Sequence, residues 1–78
     1  MKDLRAVLGG RIRELRRKKG FSQEAFADHC GLHRTYMGAI ERGEHNLTIQ
    51  TAVTVAGGLG MTVSRLLSGI EKHMQKPD

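Results

Sequence analysis

Two polar groups flank Gly31: Ser22-Gln23 on its N-terminal side, and Arg34-Thr35-Tyr36 just beyond it. Their residue types form hydrogen bonds rather than break covalent ones. An arginine fork donates two parallel bonds to guanine O6 and N7, and a threonine can donate, accept or touch a thymine methyl. A glutamine or serine at the start of a helix, beside its free N–H groups, suits a phosphate oxygen. The chemistry indicated is readout of a nucleic-acid duplex. The chain has no Ser/His/Asp set, carboxylate pair or phosphate loop. Of its histidines, His29, His33, His45 and His73, only the first two are four apart, and they straddle Gly31 instead of sharing a helix. An enzyme is not expected, and neither is a cofactor or a metal.

Presenting those groups requires two short helices crossing at a turn. Ser22 can cap a helix over Gln23–His29, because its hydroxyl accepts from a backbone N–H in the first turn. Gly31 suits the turn, since a positive φ costs glycine little. A third helix follows over about His33–Arg42. Phe26, Cys30, Leu32, Met37 and Ile40 form the apolar set that locks the pair, while Arg34, Thr35, Gly38 and Ala39 point elsewhere. Before this unit, Leu8, Ile12 and Leu15 share one face of a helix over about Leu4–Lys19. Gly9 and Gly10 weaken its first half, so its start could fall as late as Gly10. After it, Thr48 caps a fourth helix over Ile49–Gly58, and Thr62 caps a fifth from Val63 to about Glu71. The expectation is an all-α domain of five helices with a helix-turn-helix at about residues 22–42.

Length and charge bound the rest. The 78 residues suffice for one domain, expected over 1–72 with a tail over 73–78, and the single cysteine excludes an internal disulfide. Net charge is +5, from 13 Lys+Arg against 8 Asp+Glu, which favours a polyanionic partner. Arg11, Arg13, Arg16, Arg17, Lys18 and Lys19 cluster in the first helix. They read either as a solvated helix end or as part of a field facing DNA. No apolar run is long enough to cross a bilayer and no secretory leader is evident, so a cytoplasmic protein without a membrane role is expected.

The stretch Leu8–Leu67 resembles the Cro/repressor (XRE-like) helix-turn-helix domain. The matching pieces are RIRELRRKKGFSQEAFA, GLHRTYMGAIERG and NLTIQTAVTVAGGLGMTVSRLL. The run LHRTYMGAIERG followed by NLTI is also similar to the controller proteins of restriction–modification systems. The resemblance implies a lambda-repressor-like fold and regulation of transcription through double-stranded DNA. By matching position it implies base reading at Arg34, Thr35, Gly38 and Ala39. The last two have almost no side chain, so either readout is sparse and leans on DNA shape, or the helix approaches the groove closely. Ser22, Gln23, His33, Tyr36, Arg42 and Asn46 are the candidate phosphate ligands. Three have alternative roles: Ser22 as a cap, Tyr36 as rim of the core, and Asn46 in a turn of its own loop. Arg16 and Glu41 are expected to form a structural ion pair.

One half-site read by two side chains discriminates too little for a regulator. Two copies on half-sites about one helical turn apart, ~34 Å, approximately double the discrimination. Val63, Leu66, Leu67 and Ile70 make one helical stripe, and a symmetric homodimer with Leu66, Leu67 and Ile70 in its interface is expected on a (pseudo)palindromic operator. No small-molecule ligand is evident. The competing reading is an antitoxin or anti-repressor whose main target is a partner protein.

Overall fold

Each α-helix begins where a polar side chain accepts from a free N–H of its first turn. The computed structural model describes residues 3–73, without the His73 side chain. It contains α1 (Leu4–Lys18), α2 (Gln23–Cys30), α3 (Arg34–Glu41), α4 (Ile49–Gly58), α5 (Val63–Leu66) and a closing 3-10 turn (Ile70–His73). Asp3 caps α1 by accepting from Arg5 N–H at 2.9 Å. Ser22 accepts from Ala25 N–H, Thr48 from Thr51 N–H and Thr62 from Arg65 N–H, each at 3.0–3.1 Å. Gly31 ends α2 with φ at +71°, and Leu32 N–H returns to the Ala27 carbonyl at 2.9 Å. That return sets the steep turn from α2 to α3. Among the described residues there is no strand, and no single helix is long and apolar enough to cross a membrane.

The core is one cluster: Ile12 from α1, Phe26 and Ala27 from α2, Met37 and Ile40 from α3, Val55 and Ala56 from α4, then Leu59 and Leu66. Every helix contributes to it, so α2 and α3 are held as a rigid pair by the three other helices. Two glycines allow α1 to approach the end of α3 at backbone distance. A Cβ on Gly9 would collide with the Ile40 carbonyl oxygen and lie 2.7 Å from that of Glu41. Gly43, at φ +75°, faces the Ala6 backbone just as closely. Gly9 is therefore a packing residue, and α1 runs unbroken from Leu4 despite its two glycines. Cys30 lies half-buried where α2 meets α4, with its Sγ 2.6 Å from where a Cβ on Gly58 would be, and burial pushes its thiol pKa up.

The fifth helix departs from expectation. It stops at Leu66 instead of running to Glu71. At that end Arg11 Nε donates to the Leu66 carbonyl at 2.7 Å and its Nη2 to the Arg65 carbonyl at 3.2 Å. These bonds cap the helix from outside. Gly69 then takes φ +77°, and the chain restarts as the 3-10 turn. The expected tail, His73 to Asp78, lies outside the described residues apart from the His73 backbone.

Candidate nucleic-acid interface

The leading turn of α3 stands outside the protein. Arg34 and Thr35 are exposed. His33 precedes them as the cap, its Nδ1 accepting from Thr35 N–H at 3.1 Å, which leaves only Nε2 to meet a phosphate. Gln23, Arg34, Thr35, Gly38 and Arg42 line one shallow depression. Beside it lies a second, lined by Arg13, Arg16, Gln23, Glu41 and Arg42. Exposed donors from α1, α2 and α3 thus converge on one face, and the only carboxylate lining the two depressions, that of Glu41, is bound by Arg16.

That ion pair holds the face together from behind. Arg16 Nε donates to Glu41 Oε2 at 2.7 Å, Nη2 to Oε1 at 3.0 Å, and Nη1 to the Phe21 carbonyl at 2.9 Å. The two side chains are 7% and 3% exposed. Charges this deep are tolerated only when paired and fully hydrogen-bonded, and both are. Gln23 joins them, its Nε2 donating to Glu41 Oε1 at 3.1 Å. One amide hydrogen of Gln23 is thereby committed inward, and the other is left free. Ser22, with its oxygen accepting from Ala25 N–H, keeps its hydroxyl hydrogen.

Gly38 and Ala39 do not have the positions of base readers. Ala39 is 6% exposed, and Gly38 is buried beneath two side chains. A Cβ on Gly38 would lie 3.0 Å from Arg42 Nη1 and 3.2 Å from Gln23 Oε1. The absence of a side chain there gives Gln23 and Arg42 room to lie across α3. Tyr36 is half-buried against the core, its ring centroid 5.5 Å from that of His45. Asn46 is exposed but stands apart from Arg34. With His45 and Leu47 it borders a mostly apolar cavity of about 280 Å³ between α1 and the closing turn. Arg42 is exposed and bound to Glu44 at 2.8 and 3.2 Å. Arg42 holds the Glu44 carboxyl below the usual carboxylate range, chiefly by that hydrogen bond. Glu44 takes the Nε–Nη2 edge, and Nη1, which lies over Gly38, is the donor it leaves free.

Leu66 is fully buried in the core of the protomer and offers no surface to a partner. Its membership of an interface is corrected by that burial. Leu67 is exposed and Ile70 half-buried. Sequence reasoning missed the largest apolar exposure, Ile49 at 83% and Val53 at 54%. Helical phase hid it: Ile49 and Val53 share an i, i+3, i+4, i+7 stripe with the buried Ala52 and Ala56, so all four read as core. Sequence reasoning also missed Glu24, whose Oε2 accepts from Arg34 Nη1 at 3.0 Å. That pair spans the turn and has no local signature.

A rigid two-helix unit with an arginine-led, outward-facing second helix defines the class of helix-turn-helix DNA-binding regulators. The chain belongs to the Helix-turn-helix family, whose model matches residues 12–66. It is 40% identical over 74 residues to control protein C.MunI of a Mycoplasma species, covering 94% of this chain and all of that protein. The crystal structure of the restriction–modification controller protein C.AhdI from Aeromonas hydrophila superposes with a TM-score of 0.76 at 41% identity, covering 82% of this chain and 91% of that one. A structure of SinR, master regulator for biofilm formation in Bacillus subtilis, solved in complex with DNA, matches at TM-score 0.73 and 34% identity over 78% of this chain and 98% of that one.

Proposed function

We propose that this chain is a cytoplasmic, non-enzymatic transcriptional regulator that binds a (pseudo)palindromic operator as a homodimer and controls restriction–modification genes. The observation that carries the reading is the exposed Arg34–Thr35 turn, seated beside Gln23 on the face backed by the Arg16–Glu41 pair. Arg34 reads a guanine and Thr35 its neighbour. Ser22, Gln23, His33 and Arg42 hold the phosphates, with Tyr36 and Asn46 at the margin. The kinship with controller proteins supports the choice of target genes.

Titration against the duplex upstream of its own gene tests this. Binding is expected at nanomolar to sub-micromolar concentration and should weaken steeply as salt rises. Arg34→Ala should cost ~1–3 kcal/mol and relax preference at one base position, whereas Gln23→Ala should weaken every duplex evenly. An equal loss across all operator variants for Arg34→Ala would move that residue to the phosphates.

Pairing of protomers is assigned to Ile49, Val53 and Leu67, with Ile70 at the edge. Burying one isoleucine side chain contributes about 1.5–3 kcal/mol. Ile49→Asp removes that contribution from both protomers, so sedimentation should report dimerisation weakened by at least about a hundredfold. An unchanged dimer would place the interface elsewhere.

A further inference from the structure

Glu24 is the second residue of α2, and the reading above gives it no task. Its carboxylate grips Arg34 Nη1 at 3.0 Å, with both side chains about two-thirds exposed, at 65% and 67%. An ion pair that open to water contributes little to folding. Its location is the informative part, because it follows Gln23 directly and reaches across the turn to the residue that leads α3. A carboxylate in that place faces a polyanion, and on its own it would oppose binding to every duplex alike.

We infer that Glu24 is a specificity-determining positioning residue, holding the Arg34 guanidinium so that its Nε–Nη2 edge is the fork presented to guanine. The inference rests on Arg34 being a base reader. The guanidinium is planar with fixed donor directions, so anchoring Nη1 orients the remaining donors as a unit. A guanidinium without that anchor is free to swing onto a phosphate, a contact that carries no sequence information. Where guanine is absent, the edge that Glu24 holds finds no O6/N7 pair, and the anchored guanidinium cannot swing to a phosphate in compensation. Glu24 thus lowers affinity for all DNA and lowers it least on the correct site, which is how a repulsive group produces selectivity.

The test uses the full chain and the variants Glu24→Ala, Glu24→Gln, Arg34→Ala and the Glu24→Ala/Arg34→Ala double. Each is titrated at fixed salt against an operator selected from a random duplex pool, its three single-base variants at the guanine in question, and an unrelated duplex of equal length. Glu24→Ala should bind the unrelated duplex about 3–10-fold more tightly, through loss of one repelling charge. Its preference for guanine should fall about 5–10-fold. Glu24→Gln should fall between, since a neutral amide oxygen still accepts from Arg34. In the Arg34→Ala background, removing Glu24 should leave base preference unchanged, and melting temperatures should fall by only about 1–8 °C, from the loss of a first-turn carboxylate on α2. An equal gain on operator and unrelated duplex would reduce Glu24 to bulk charge and overturn the inference. So would a loss of preference that persists without Arg34. If Arg34→Ala loses guanine preference while Glu24→Ala keeps it, this inference alone fails. If Arg34→Ala keeps its preference at every position, the base-reader assignment fails and this inference with it.

Discussion

Glu41→Ala is expected to remove a large share of the domain's stability. The substitution strands the Arg16 guanidinium where only 7% of its side chain meets solvent, with a single acceptor left, the Phe21 carbonyl. Removing one partner of a buried pair costs about 3–5 kcal/mol. A small domain has about 5–15 kcal/mol in total, and each kcal/mol lowers Tm by about 4–8 °C at this size. Thermal melting followed by circular dichroism should therefore fall by about 15 °C or more. Converting both residues together, as in Arg16→Met with Glu41→Leu, should cost much less than the two single changes added, because no charge is left unpaired. A Glu41→Ala variant that melts like wild type and loses only DNA affinity would reassign the carboxylate to the DNA-facing surface.

The second large effect concerns Gly9 and its neighbour, and the two should move in opposite directions. Glycine inside an exposed helix costs about 1 kcal/mol relative to alanine. At Gly10 an added Cβ meets nothing within 4 Å, so Gly10→Ala should gain up to about that amount. At Gly9 the same methyl would be driven into the Ile40 and Glu41 carbonyl oxygens. Those are backbone atoms at the end of α3, which cannot swing aside as a flexible side chain would. Gly9→Ala should therefore lose about 1–3 kcal/mol or more as α1 is forced off α3. Urea unfolding of the two variants side by side reads the contrast. If both are stabilised, α1 and α3 do not make the close approach described.

Helix positions were legible because their signals are local. Ser22, Thr48 and Thr62 are capping residues one place before an apolar pattern, and Gly31 stands where the turn needs a positive φ. The end of α5 had a local mark in Gly69, which takes a positive φ three residues beyond Leu66, but the bonds from Arg11, more than fifty residues earlier, were not legible. In sequence, Arg11 is one of several cations on α1. Gly9 misled for the same reason: a glycine in a helix reads as a weakness until the element it touches is known. At the candidate interface, the outward-facing Arg34–Thr35 turn followed from helical phase. The burial of Gly38 and Ala39 did not, because small residues become covered when longer neighbours lie across them, and Gln23 and Arg42 do so at Gly38. Leu66 shows the limit of a periodic stripe, which says that four residues share a face but not which of them the protomer itself consumes.

The Gln23 amide shares one carboxylate with the Arg16 guanidinium, and this has a consequence for how such proteins can diverge. With the phosphate role proposed for Gln23, a substitution there also disturbs the partner on which the interior depends, so mutational drift is doubly penalised. Arg34, Thr35 and Glu24 carry no such debt to the interior. New recognition sequences in related lineages should therefore arise by exchange at those three places, with the glutamine and the pair behind it inherited unchanged.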